Sequence, residues 1–406
     1  MRSFVVLKGL VKEDKRNWVL KEGLSSFFLD IDNLRSLYFK PDYKGDRDYL
    51  VNSFDELVYS RFIEVVCTKA STGTLIVVDM ENESTAILEQ LARIFGYTVF
   101  YKVFPIPQDY VTKNRKYSDL RYIPHSRVDL KKEVGNFLSQ SLENKNLITT
   151  YKNLEKYWSK RDETIKLEVT DKVLHVSDLH SHYNAMSSGI PPTSDYSLTV
   201  FHGDYIDGPV VGGSRKVMES ILLCDKENVR YLEGNHELRL RKYLGWKVLK
   251  AADRKIAASC IYNSIPDQFL KTTAKEFETL SSVEAWAWID EMNRKLKEYV
   301  IYKRGKNTYI CTHCGIRWIE QLSPKFVGNL INSNKNIERV DEAFTKNYVR
   351  DKFYSIHAHC YYPSGFNPTK YSNVVNLDPE DENKVNYYVS EHKKSNKIVC
   401  LREESK

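Results

Sequence analysis

The chain has 406 residues, more than one average core, so two domains are expected; 42% hydrophobic and 28% charged is the make-up of an ordinary soluble globular protein. No apolar run approaches the ~20 residues of a bilayer span. The start, MRSFVVLKGLVKEDKR, lacks the small-residue cleavage pattern of a signal peptide. These features exclude a membrane helix and make the cytoplasm the expected compartment. Seven scattered cysteines fit reduced thiols better than a disulfide framework. The net charge is +7, from 61 Lys and Arg against 54 Asp and Glu; it suits a polyanionic partner such as nucleic acid, and equally a solvated surface.

In chain order, Ser-Phe-Val-Val-Leu-Lys at 3–8 reads as a strand ending at Gly9, and 74–79 and 97–104 read as two more. Helical patterns cover 53–69 and 84–95. Strands alternating with helices predict a parallel α/β unit over 1–150. A polar, Lys-rich stretch from about 141 to 168 reads as the connection, with a linker at 151–170 and a second unit at 171–406.

The second unit opens on Val173-Leu174-His175-Val176, and short strands are expected at 198–202, 229–232, 307–312, 353–356, 373–377 and 396–401. A helical insert at about 266–299 carries Trp286, Trp288 and Met292 at the spacing of a core-facing stripe. Polar clusters follow the strands: Asp178-Leu179-His180, Gly203-Asp204-Tyr205-Ile206-Asp207, Gly234-Asn235-His236-Glu237, His313, and His357-Ala358-His359. One D-x-H triplet or one histidine is commonplace. Five clusters in order, each on a turn held by a strand, point to a site. Carboxylates, an amide oxygen and imidazoles are a hard-to-borderline donor set, suited to two divalent cations ~3.5–4 Å apart bridged by one carboxylate.

These segments resemble the calcineurin-like metallophosphoesterases, in the order of the phosphoprotein-phosphatase branch. The resemblance implies a β-sandwich flanked by helices. It implies that Asp178 and His180 hold one metal, that Asp204 bridges both, that Asn235, His313 and His357 hold the second, and that His359 adds a ligand to the first. Two cations, manganese being the expected ion, acidify a shared water and neutralise phosphate oxygens. By the same resemblance His236 protonates the leaving alkoxide, and Asp207 accepts a hydrogen bond that orients it and keeps it charged.

The departures from the family pattern are specific. Gly208 stands where the family carries an Arg, so a phosphate clamp is missing from its expected place; Arg239, Arg215 and Arg317 are the candidate substitutes, each also readable as a surface arginine. Ser177, Ser181 and Ile356 replace glycines. Cys311 and Cys314 form a C-x-x-C around His313, but no second pair exists to complete a zinc site.

In the first unit, Gly9 and Lys15 have the spacing of a phosphate-binding loop, but Asp14 stands where a second Gly is needed and Arg16 where a magnesium-binding hydroxyl is needed. Asp32-Asn33-Leu34-Arg35, Val77-Val78-Asp79-Met80-Glu81-Asn82, Asn114-Arg115, Arg121 and Pro124 resemble the polynucleotide kinase family, with its acceptor-site Asp and Arg-bearing lid. Kinase followed by metallophosphatase is the order in bacterial and phage polynucleotide kinase–phosphatases, which heal RNA ends. Their Asn-Ile-Asp segment is matched by Asn376-Leu377-Asp378, which makes Asp378 a substrate-binding candidate beside Arg239. The expectation is a degenerate P-loop-kinase-like domain, binding nucleic acid or acting as a scaffold. It is joined to a phosphoesterase that acts on 3′ or 2′,3′-cyclic phosphates at RNA or other nucleic-acid ends, away from membranes. A protein Ser/Thr phosphatase, a dinucleoside polyphosphate hydrolase and a nucleic-acid-binding protein without chemistry are the alternatives; the intact ligand set argues against the last.

Overall fold

The computed structural model describes residues 2–9, 12–38, 47–73, 75–80, 86–104, 146–161, 164–322, 337–359, 370–378, 384–390 and 397–402. Asn114, Arg115, Arg121 and Pro124, and also Glu81 and Asn82, lie outside them. In the first unit, β1 (Ser3–Lys8), β2 (Phe28–Asp30), β3 (Leu75–Asp79) and β4 (Thr98–Val103) form an all-parallel sheet of order β2-β3-β1-β4. Parallel neighbours need crossovers, and helices α1 (Lys12–Lys21), α2 (Ile31–Tyr38), α3 (Arg47–Thr72) and α4 (Ala86–Ile94) stand between the strands. β1 and β3 are near-continuous apolar runs because both faces are covered. Phe4, Val6, Ile76 and Val78 face α3 and α4, while Val5, Leu7, Val77 and Phe100 face the opposite layer.

That opposite layer includes residues whose Lys-rich composition suggests a linker. Residues 151–161 instead form α5 (Tyr151–Arg161), because Tyr151, Leu154 and Trp158 recur on one helical face and bury against the sheet. The Trp158 indole donates to Ser3 Oγ at 2.7 Å. Farther along, β5 (Ile165–Leu167) pairs with the second unit.

Lys15 is buried and donates to Asp79 Oδ1 at 2.7 Å, and Arg16 pairs with Asp30 at 2.7 Å. The cation at the phosphate-loop spacing is therefore held by a carboxylate at the end of β3.

The second unit is a sandwich of two sheets. One has the order β15-β14-β6-β7-β8-β9 and the other β13-β12-β11-β10-β5. The first contains β6 (Val173–Val176), β7 (Leu198–Phe201), β8 (Val229–Leu232), β9 (Leu296–Lys297), β14 (Lys384–Ser390) and β15 (Lys397–Arg402). The second adds β10 (Tyr299–Arg304), β11 (Asn307–Thr312), β12 (Phe353–His357) and β13 (Val374–Asn376). Val173, Val200, Leu232, Tyr302, Cys311 and Ile356 fill the layer between the sheets. Helices α6 (Gly213–Leu223), α7 (Asn235–Ala251), α8 (Lys255–Tyr262) and α9 (Ser282–Lys295) flank the first sheet, and α10 (Ile337–Tyr348) packs on the second. Among the described residues, no helix is long and apolar enough to cross a membrane.

The two units share one apolar cluster, in which α3 and α4 meet α7, α8 and α9. Gly245 permits the contact of α7 with α4: a Cβ there would stand 2.6 Å from Ile94 Cγ2. Buried charges cross the same junction, with Arg2 paired to Glu233 at 3.1 Å and to Glu298 at 3.2 Å, and Arg241 also on Glu233. Removing one partner of a buried pair is costly. Lys15→Ala is accordingly expected to lower unfolding stability by about 3 kcal/mol, and adding Asp79→Leu to recover much of it in urea titrations. A single variant as stable as the parent would show that this pair is not structural.

Candidate active site

The clusters that follow β6, β7, β8, β11 and β12 converge on Asp204. His313 Nε2 lies 3.3 Å from Asp204 Oδ1, and His359 Nδ1 lies 3.3 Å from Oδ2. The backbone amide of His236 donates to Oδ1 at 3.1 Å, so a first-turn N–H of α7 faces this carboxylate. Asp178 joins through the His359 amide, which donates to its Oδ2 at 3.1 Å. The Asn235 side-chain amide stands 3.3 Å from His313 Nε2, and the His180 ring packs edge-on to His236.

This convergence strains the backbone. Among the described residues, seven non-glycines have positive φ, and His180, Ser181, Asp204, Asp207 and His359 are five of them. Each such residue costs on the order of 1–3 kcal/mol and persists only where its surroundings fix it. At Asp204 the fixing is done by Glu237, whose buried carboxyl group accepts the amides of Asp204 (3.0 Å), Tyr205 (2.9 Å) and Gly234 (2.9 Å). Gly234 cannot carry a side chain, because its Cβ would fall on Asp204 Oδ1.

The donor set fits a cation. Burial, Asp204 and Asp378 push the Asp178 carboxyl well above its ordinary range. Burial acts upward on Asp204 too, but His236 and His313 hold it well below. Two buried atoms, Asp178 Oδ1 and His180 Nδ1, have no hydrogen-bond partner. Asp178, Asp204 and His313 offer ligand atoms within 4.8 Å of one another. The Nδ1–H of His313 donates to the His202 carbonyl at 2.6 Å, which fixes the tautomer and leaves the Nε2 lone pair facing Asp204. His357 is placed differently. Its Nε2 contacts Asp341 of α10 at 3.0 Å and its Nδ1 lies 3.2 Å from the Ala358 carbonyl, so His359 rather than His357 reaches Asp204.

A family profile described as calcineurin-like phosphoesterase matches residues 171–393, more than half of the chain. The chain belongs to this family. It is a metal-dependent phosphoesterase, a hydrolase, and its sandwich is the phosphoesterase domain. Among solved structures, a cold-active protein tyrosine phosphatase is similar at 13% identity and a TM-score of 0.32, covering 59% of this chain and 82% of that one. The cold-active protein-tyrosine phosphatase of a psychrophile, Shewanella sp., is similar at 15% identity and a TM-score of 0.31, covering 58% and 83%. No curated protein matches the chain.

Beside the phosphoesterase's carboxylates lies a second cluster, centred on Asp207. His236 Nδ1 is 3.1 Å from Asp207 Oδ2, Thr273 donates to Asp207 Oδ1 at 2.7 Å, and Arg239 donates to Oδ2 at 2.7 Å. Burial acts upward on Asp207, yet the bonds from His236, Thr273 and Arg239 bring it down to about 2. Burial acts downward on His236, but Asp204 and Asp207 outweigh it and raise its pKa. Of the three candidate clamps, Arg239 is the one these contacts bring into the cluster. Arg215 is engaged by Glu219 and by Thr279, and Arg317 lies over the Trp318 ring. Asp378, just past β13, is near enough to raise both Asp178 and His357.

Thr273, His202 and Asp341 escaped the sequence reading, since each reaches the site only through tertiary packing. Gly208 is explained: a Cβ there would fall on the carbonyl oxygen of His180. Gly208→Arg, which restores the family residue, is therefore expected to displace the 178–181 turn and cut turnover at least tenfold. Unimpaired turnover would show that the turn tolerates a side chain.

Proposed function

We propose that this phosphoesterase removes a terminal 3′-phosphate, or opens a 2′,3′-cyclic phosphate, at RNA or other nucleic-acid ends, with manganese as its ion. The carrying observation is the convergence of Asp178, Asp204, His313 and His359 beside His236 and Asp207. The nucleic-acid reading is supported by the polynucleotide-kinase-like segments of the first unit and by the net charge of +7. In this reading the first unit transfers no phosphate, because Lys15 is committed to Asp79, and it acts as a scaffold or nucleic-acid-binding module.

Asp178, His180, Asp204, Asn235, His313 and His359 would hold the cations, with His357 fixed on Asp341 next to His359. Bound cations would supply Lewis acidity and neutralise phosphate charge. His236, kept charged and oriented by Asp207, gives a proton to the leaving oxygen of the ribose. Arg239, at the rim of the same cluster, meets phosphate oxygens, and Asp378 is assigned to the substrate.

Asp204→Ala is expected to abolish turnover and manganese binding by calorimetry; full turnover in excess chelator would remove the central claim. His236→Ala should lose roughly 10²–10⁴-fold on a ribose 3′-phosphate but little on a nitrophenyl ester, whose leaving group needs no proton. Equal losses on both would assign His236 another role. kcat/KM on a short 3′-phosphorylated RNA should exceed that on a phosphoserine peptide by tenfold or more; the reverse order would make the enzyme a protein phosphatase.

A further inference from the structure

Helix α7 carries more than the catalytic groups at its start. At 3.6 residues per turn, Lys242, Tyr243, Trp246 and Lys250 follow Arg239 along one side, with Lys247 at its margin. Their rings and cations interleave. The Tyr243 and Trp246 centroids are 5.6 Å apart, and those of Trp246 and Tyr262 of α8 are 5.0 Å apart. Lys247 Nζ lies 5.8 Å from the Tyr243 ring and Lys250 Nζ 5.0 Å from that of Trp246. Between α7 and α8 this row opens into a cavity of about 480 Å³ lined by Trp246, Tyr262, Lys250, Lys255, Ser259 and Asp253. Tyr262 is 39% exposed there. Asp253 and Lys255, both exposed, face each other at 3.6 Å, so the carboxylate does not cancel Lys250. From Arg239 to Lys250 the helix runs about 16 Å at 1.5 Å per residue. The cavity and the active site thus share one rigid rod. Core packing accounts for the buried Tyr243 and for the inner edge of Trp246, but not for an exposed tyrosine and two lysines around an open cavity.

We infer that this cavity is a second binding site, taking a base and an adjoining phosphate of a single-stranded polynucleotide whose end lies in the active site; the inference rests on the nucleic-acid reading above. Single-strand sites combine a cationic track with aromatic faces, because every nucleotide presents both a π face and a charge. A phosphopeptide presents no such regular pairing.

The test is fluorescence anisotropy with a short labelled RNA ending in a 3′-hydroxyl, so that binding is read without turnover. Tyr262→Ala and Lys250→Glu alter exposed residues away from the catalytic groups. Each is expected to weaken binding roughly tenfold, with turnover of nitrophenyl phosphate unchanged. An abasic strand of equal length should bind the unaltered protein about as weakly as Tyr262→Ala binds the RNA. Unchanged RNA affinity in both variants, or equal binding of the abasic strand, overturns the site, and it leaves the nucleic-acid reading standing when the unaltered protein still binds the RNA and dephosphorylates its 3′-phosphate form. Failure of the unaltered protein to bind the RNA overturns both.

Discussion

The site depends on one buried carboxylate. Glu237 gathers the amides of Gly234, Asp204 and Tyr205, and so ties the turn after β7 to the start of α7. Without those bonds, nothing in the local sequence would hold Asp204 at a φ of 49°, in a region non-glycine residues avoid. The same contacts make the first turn of α7 a capping arrangement, in which a side chain from the third helical position returns to the residue before the helix. Burial and the neighbouring Asp204 push Glu237 up to about 8, while its amide bonds pull the other way. Burial is the larger cause; cations that drain charge from Asp204 would relieve the part that Asp204 adds, which joins the turn to occupancy of the site.

Helix α7 transmits this constraint to the rest of the molecule. Its first residues serve the site, and its body packs on α4 of the first unit through Gly245 and Ile94. Glu233, one residue before the Gly234 turn, is held by Arg2 and Arg241, so the opening strand of the chain reaches within a few residues of His236. The first unit, with Lys15 held on Asp79, has a structural role of its own, since it supplies one wall of the core in which α7 is seated.

How much of this was legible in the sequence differs by element. β1, β8 and β11 match their expected bounds because each is a short apolar or β-branched run closed by polar residues. β10 was lost because Tyr299–Arg304 abuts the helical insert, and β5 and β9 are too short to show a period. β14 alternates, but its Lys, Asn and Ser disguise a strand that is paired on both edges, between β15 and β6. The ligand clusters were legible because each is local to one strand end. Their supports were not: Asp341 reaches His357 from α10, and Thr273 reaches Asp207 from 66 residues away. Tyr151, Leu154 and Trp158 carry the 3.6 period in the sequence, but the lysines around them give the segment the composition of a linker.

The replacement of the family arginine by Gly208 has a partner in the replacement of a glycine by Ser181. Ser181 Oγ accepts the Gly208 amide at 3.0 Å and lies 2.8 Å from Ser214 Oγ, which in turn accepts the Asp207 amide at 3.2 Å. Two hydroxyls thus draw the Asp207 turn against the His180 turn, so closely that position 208 has no room for a Cβ. Under the proposed function the cationic role falls to Arg239, one turn into α7 and bonded to Asp207. That position has a chemical consequence that an arginine beside Asp207 in sequence would not share. Arg239 and His236 both address Asp207 Oδ2, at 2.7 and 3.1 Å, and the charge of Arg239 lowers the His236 pKa that Asp207 raises. Under the proposed function, a phosphate that drew the guanidinium toward its own oxygens would remove a competitor for Asp207 and leave that carboxylate to His236.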